Sequence, residues 1–409
     1  MDDMRDDTLL VAALLDEGGP SPRVTAAGRQ GLLELTRTAG RTPAHQDEHQ
    51  HERRAGRRAG RRNGWLRGRR PLGLGLGLVA AAAAAAVAVA TVGQGDPGGP
   101  GDAPSAEESA RMTLMAAADR VERQPQGRYW YNHQRVSLPL RALGRDGGYV
   151  VEERNETFEV IGRTKGDGHT FYGRDIAARP QTRADEAAWR AAGSPSSWKV
   201  ESSGVTRTLT SSNERWVKDD DGKGGTFNIG GIGWYTYEEL QNLPTDPRAL
   251  RKELCEGTIK HEPGVAEQLK ERGVTRSPKK GGCATPAQAL GLVFSVLRDT
   301  PVPPKVRAAL MRLATDLPGV TRLPRATDPL GRTAVGLAAD LSADPTGEVT
   351  REEVLFAPGT GQLLGARSVL VKPGRNDERW QTPGRTTHYW AIVASGWTDT
   401  MPKPPAAVR

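Results

Sequence analysis

Four histidines lie beyond residue 100: His133, His169, His261 and His388. Any of them could serve a serine as general base, but none sits in a recognisable triad setting. The chain has no Gly-x-Ser-x-Gly elbow, no His-Glu-x-x-His helix, no P-loop and no kinase set. His133 falls in a strand-like run beside Tyr131, where a surface or hydrogen-bonded core residue is the plainer reading. Asp219-Asp220-Asp221-Gly222 lacks the alternating ligands and terminal Glu of a calcium loop and reads as a solvated hairpin turn. Glu152 and Glu153 are neighbours in a predicted strand, so they point to opposite faces and cannot work as a paired acid and base. His45, His49 and His51 lie in a Gln- and Glu-rich stretch with no rigid partner and read as linker, not as metal ligands. No catalytic, cofactor-binding or metal-binding residue is therefore expected, no cofactor is implied, and the chain is expected not to be an enzyme.

Two side-chain sets remain. Cys255 and Cys283 are the two cysteines of the chain. A disulfide is the natural reading in an oxidising compartment, with two buried thiols as the alternative. Eight of the nine Trp lie beyond residue 100, and Trp130, Trp198, Trp216, Trp234, Trp390 and Trp397 fall in or beside predicted strands. A concave sheet face lined by Trp130, Trp198, Trp216, Trp234 and Trp390 would hold a lipid tail or a sugar, because each indole offers a large ring with a polar tip. Plain core packing is the competing account.

The elements that must position these residues are read outward from a membrane segment. Arg53, Arg54, Arg57, Arg58, Arg61, Arg62, Arg67, Arg69 and Arg70 occur without an acid among them, and an uncharged run, Pro71 to Val92, follows at once. Its insertion energy comes from Pro71-Leu72, Leu74, Leu76, Leu78, Val79, Val87, Val89 and Val92, the four Leu and four Val contributing roughly −0.3 to −0.6 kcal/mol each. At roughly 1.5 Å per residue the run spans about 33 Å, enough for a bilayer core. A cleaved signal is the rival, with Ala-Val-Ala at 86–88 or 88–90 as its site, but the long leading stretch and long core favour a retained single span. The arginine side stays cytoplasmic and everything beyond about Gly93 is placed outside the plasma membrane. The net charge of +8 and pI near 9.6 are then explained by a block that abuts anionic lipid, so no nucleic-acid partner is implied.

The predicted organisation is a short cytoplasmic helical segment (1–52), an Arg-rich juxtamembrane segment (53–70), a transmembrane helix (71–92), a linker (93–104), an extracytoplasmic domain (105–400) and a tail (401–409). Within 1–40, Asp2, Asp3, Asp6 and Asp7 precede an apolar face of Leu10, Val11, Leu14 and Leu15, the profile of a marginal helix that docks on a partner. A disordered tail with transient helix is the alternative. Outside, a helix is expected over 105–123 with Ser105 and Glu108 as a capping box. Strands follow at 128–136, 149–163, 170–172, 198–201, 205–209, 215–217 and 233–237. Glu152, Arg154, Glu156 and Glu159 are polar residues among apolar ones, which predicts one wet face. Helices then run from Pro247, capped by Thr245 or Asp246, over 263–272, from Thr285 to 297, and over 303–317. Strands return at 333–341, 352–356, 362–371 and 387–397. The class is α+β with an antiparallel sheet, a curved half-barrel being one form of it, as one domain or two with a break near 275.

Gly-Arg-Tyr-Trp at 127–130, Leu-Pro-Thr-Asp-Pro-Arg-Ala-Leu at 243–250, Leu-Pro-Gly-Val at 317–320, Thr-Asp-Pro-Leu-Gly-Arg at 327–332 and Gly-Gln-Leu-Leu-Gly at 361–365, together with the arginine-flanked span, resemble single-pass membrane proteins of actinobacteria, some encoded beside extracytoplasmic-function sigma factors. That hypothetical-protein family transfers no reaction and no catalytic residue. In element order alone the outer part is similar to half-barrel periplasmic lipoprotein carriers and sensors. The resemblance implies a membrane-anchored binding or sensor protein with a lipid or cell-envelope ligand and a sigma factor as cytoplasmic partner through residues 1–40. An extracytoplasmic hydrolase with a dispersed site and a structural wall-binding protein are the alternatives.

Overall fold

Tyr129–Arg141 (β1) is aromatic and branched, a composition that fits a pleated, half-buried surface. In the computed structural model the residues described are 104–406 apart from 144–147, 203–204, 220–225, 263, 272–278 and 376–381, and they fall within one compact unit. The predicted segments 1–52, 53–70 and 71–92, with all their named Arg, Leu and Val residues, lie outside the described residues. Among the described residues no helix is long and apolar enough to cross a membrane.

β1 pairs antiparallel with Val150–Gly162 (β2) from Tyr129↔Gly162 to Arg141↔Val150. On its other side it pairs with Thr386–Thr398 (β13), from Tyr129↔Thr398 to Ser137↔Tyr389. Pro139 comes after that last β13 pair, so its missing N–H falls where β1 has only β2 beside it. His169–Pro180 (β3) and Val217–Asp219 (β6) continue outward from β2. Ser197–Ser202 (β4) with Val205–Thr210 (β5), and Thr226–Ile229 (β7) with Gly233–Thr236 (β8), form two separate hairpins. From β13 the sheet runs through Leu363–Lys372 (β12), Val349–Phe356 (β11) and Thr333–Asp340 (β10) to Thr321–Thr327 (β9). The nine-stranded order is β6-β3-β2-β1-β13-β12-β11-β10-β9, antiparallel throughout, so the fold is α+β with a large antiparallel sheet.

Helices cover one face of it. Ala106–Glu122 (α1) starts where the Ser105 hydroxyl accepts from the Glu108 N–H at 3.1 Å. Its stripe of Ala110, Leu114, Ala117, Ala118 and Val121 is buried. Arg183–Ala191 (α2) and Tyr237–Gln241 (α3) each carry a reciprocal capping box, Thr182 with Asp185 and Thr236 with Glu239. Asp246, not Thr245, caps Pro247–Cys255 (α4). Val265–Glu271 (α5) follows. Pro286–Asp299 (α6) and Pro304–Thr315 (α7) are buried almost all round, because α6 packs on β10, β11 and β12 while α7 is held between α1, α4 and α6. α2, α3, β7 and β9 are absent from the sequence-based outline. They are short, and only the Thr-x-x-Asp and Thr-x-x-Glu caps announced the first two.

The expected wet face of β2 is not wet. On the side opposite the helices, Glu156 is buried between Arg135 of β1 at 2.6 Å and Arg174 of β3 at 2.5 Å, and Glu152 pairs with Arg179 at 2.9 Å. Burial by itself would raise the Glu156 carboxyl, but the His133 ring nearby and the hydrogen bonds from Arg135 and Arg174 hold it far below the ordinary glutamate range. Glu152, Arg154 and Glu156 share this face, whereas Glu159 points to the helical side, where it pairs with His169. The sequence of β2 could not show that guanidinium groups on both neighbouring strands would cover the first face.

Cys255 and Cys283 form a disulfide with Cα atoms 5.4 Å apart, so the free-thiol alternative falls. The bridge ties the end of α4 to the loop before α6.

Two outcomes follow from these contacts. The double variant Cys255→Ser, Cys283→Ser loses about 3.5 kcal/mol in urea unfolding, the chain-entropy value for a closed loop of this size; an unshifted midpoint refutes it. For Glu156 the folded pKa lies below the ordinary 4.5, so its stabilisation is complete above about 4.5 and is lost as pH falls through the folded value. Glu156→Gln should cost about 3 kcal/mol at neutral pH and flatten the loss of stability on acidification, because the enclosed Arg174 and the half-buried Arg135 guanidinium groups lose their acid. Urea midpoints measured from neutral to acid pH check both statements.

Candidate functional site

The end of α1 and the start of β1, close in sequence, meet the first turns of α7 and the remote strand β13 over the centre of the sheet. The turn between β11 and β12 closes the fourth side. At Gly361 the chain has φ +73°, and a Cβ there would lie 2.5 Å from the Ala117 carbonyl of α1, so only glycine lets this turn tuck under the helix. Between them is a cavity of about 250 Å³. Its interior is built from Trp130, Leu297, Met311, Phe356 and Leu363, all buried. Exposed Gln124 and Thr360 and half-buried Gln362 and Ser395 form its rim.

One charged side chain lines this space. Arg307, in the first turn of α7, is 7% exposed and stacks its guanidinium 4.2 Å over the Trp130 ring. Among the described residues no acid pairs with it, and burial alone pulls its pKa down to about 9. Its Nη1 and the Nε1 of Trp130 are both buried donors without an acceptor. Elsewhere the guanidinium groups around the helices are answered by the protein: Arg298 by Asp299 at 2.6 Å, Arg312 by Asp119 at 2.6 Å and Arg322 by Glu107 at 3.0 Å. A buried cation at this cavity, with its own Nη1 and the neighbouring Trp130 Nε1 both lacking a protein acceptor, can hold an anion or a strong acceptor.

The five tryptophans expected to line one ligand face do not share one. Trp130 belongs to the main core under the helices, and Trp390 packs against the same core beside Phe294, ring centroids 6.0 Å apart. Trp216 lies on the opposite face, with Tyr129 and Phe158, under the Arg174 guanidinium at 4.4 Å. Trp198 is buried in a satellite cluster with Tyr149 and Val200, its Nε1 donating to the Tyr149 hydroxyl at 3.1 Å. Trp234 is in β8, beside a shallow open depression that also touches Lys260 and His261. Only Trp130 of the five reaches the cavity. The reason is the period of a strand: adjacent residues face opposite ways, and the β4–β5 and β7–β8 hairpins are not part of the main sheet. Arg307 was not among the candidates. Its only sequence signal was a cation within the apolar spacing of Val306, Leu310 and Leu313.

The histidines are brought to separate places. His133 Nε2 is 3.9 Å from Glu156, and His169 Nε2 is 2.6 Å from Glu159. His388 Nε2 is 3.1 Å from the Ser368 hydroxyl, which also bonds the Glu352 carboxylate. Ser368 is fully buried and does not line the cavity. A nucleophile must reach its substrate, so this acid–serine–histidine chain between β11, β12 and β13 is a core hydrogen-bond network. Among the described residues no group of three or more His, Cys, Asp or Glu is placed to hold a metal. His45, His49 and His51 lie outside the described residues.

No protein-family model matches the chain, and no curated protein and no solved structure matches it.

An unpaired buried charge is a cost to the folded state. It applies in full at any pH below about 9, where Arg307 is protonated both folded and unfolded. Arg307→Met, which keeps the stem and removes the charge, should therefore raise the stability of the ligand-free protein by about 2–4 kcal/mol. A lower urea midpoint for this variant would show that Arg307 has a structural partner.

Proposed function

We propose that this is a single-pass membrane protein whose region beyond the 71–92 span lies outside the cell and binds a small ligand in the cavity between α1, α7 and the sheet. It acts as a binding or sensor protein, not as an enzyme. The observation that carries the reading is the cavity itself: apolar walls, a polar rim and one buried cation without a protein counter-ion. The Cys255–Cys283 disulfide supports an oxidising compartment for this part of the chain. A lipid or envelope component is the ligand class in view, and residues 1–40 are the segment that would meet a cytoplasmic partner such as a sigma factor.

A second reading has a specific observation behind it. The Ser368–His388 contact at 3.1 Å is the distance a serine hydrolase requires. The complete burial of Ser368 weighs against it.

Two measurements test the proposal. A C-terminal fluorescent reporter that matures only in the cytoplasm should stay dark; a glowing fusion overturns the topology. A fluorophosphonate probe should leave the full chain unlabelled. Labelling that disappears in Ser368→Ala would turn the assignment to the hydrolase.

A further inference from the structure

The chemistry of the cavity narrows what it can hold. Among the described residues its lining offers one cation, Arg307, and no lysine, second arginine or acid. A phosphate monoester carries close to two charges and is ordinarily met by several cations or a run of backbone N–H groups. A zwitterion would need an acid for its ammonium. A neutral lipid would leave the guanidinium unanswered, at the cost of an unpaired buried charge. One delocalised cation with a planar array of donors matches one carboxylate, which can accept from it through two oxygens. The walls of Leu297, Met311, Phe356 and Leu363 require the rest of the ligand to be apolar. The volume of about 250 Å³ lies just under the usual range for drug-sized ligands, so the apolar part is short.

We infer that the cavity is a site for a small amphipathic monocarboxylate, its carboxylate seated on the Arg307 guanidinium and its apolar tail against Leu297, Met311, Phe356 and Leu363. This rests on the reading of the cavity as a ligand site. Trp130 has two parts in it. Its ring holds the guanidinium plane from one side at 4.2 Å, which fixes the direction of the donors. Its Nε1 is a second donor without an acceptor in the protein. Gly361 is a positioning residue: it lets the β11–β12 turn close on α1, and that closure forms the wall opposite α7.

The test uses the full chain in lipid nanodiscs, with empty nanodiscs as the control for partitioning. The probes are octanoate labelled with carbon-13 at the carboxyl, octanol and octyl phosphate. Octanoate should bind about 10- to 100-fold more tightly than octanol, the range expected for a charge-assisted contact in a dry site. The labelled carboxyl of the bound molecule should stay ionised to lower pH than in empty nanodiscs. Arg307→Met should bring octanoate down to the octanol level, and Arg307→Lys should restore part of the difference. Equal binding of octanoate and octanol, unchanged in Arg307→Met, removes the carboxylate anchor but leaves an apolar ligand site in place. Octyl phosphate binding tenfold more tightly than octanoate overturns the ligand class. No binding of any of the three sinks this inference together with the ligand-site reading on which it rests.

Discussion

The pairing of β1 with β13 is the contact on which the rest of the structure depends. It joins the first and last long strands of the described residues and places both in the middle of a nine-stranded sheet. One meander, β1-β2-β3, grows from one side of this seam, and another, β13 back to β9, from the other. Neither half is closed without it. The seam also carries residues that reach both faces of the sheet. Trp130 forms the inner wall of the cavity, Asn132 donates to the Arg298 carbonyl of α6 at 2.8 Å, and Arg135 reaches the Glu156 carboxylate on the far face. A sheet zipped by such a non-local pair is expected to fold slowly, since the whole intervening chain must be closed before the pair can form.

Two buried charges on either side of this sheet show opposite solutions to the same problem. Glu156 is taken out of water and met at once by two guanidinium groups, so its ionised form is held firmly. Arg307 is taken out of water and met by an aromatic face and an empty space. A folded protein gains nothing from the second arrangement by itself. That contrast is what the proposed ligand site on the helical side of the seam rests on.

The same logic separates the cavity from the Glu352–Ser368–His388 chain. That chain contains the residue types of a hydrolytic site, yet its members satisfy one another inside a filled layer. The cavity contains no nucleophile–base pair, yet it leaves two donors open. Binding requires unsatisfied groups facing a space of adequate size. Catalysis further requires a reactive atom within that space, and the two features here occupy different parts of the core.

Much of the architecture was legible in the sequence because it rests on local rules. Ser105, Asp246 and Thr285 announce their helices through the hydrogen bonds their side chains can make. The antiparallel α+β class follows from strands joined by short turns, and the disulfide from there being only two cysteines. The site was not legible. Five tryptophans in strand-like runs suggested a shared face, but which face a residue joins depends on the sheet its strand enters, and three of those strands enter different layers. In the sequence Arg307 is a cation within apolar helical spacing, and nothing local shows that α1 and α6 cover α7. Periodicity and capping are properties of neighbours along the chain and can be read from it. Whether a charge meets an acid, a ring or an empty space is decided by residues far away in sequence, and only the assembled core brings them together.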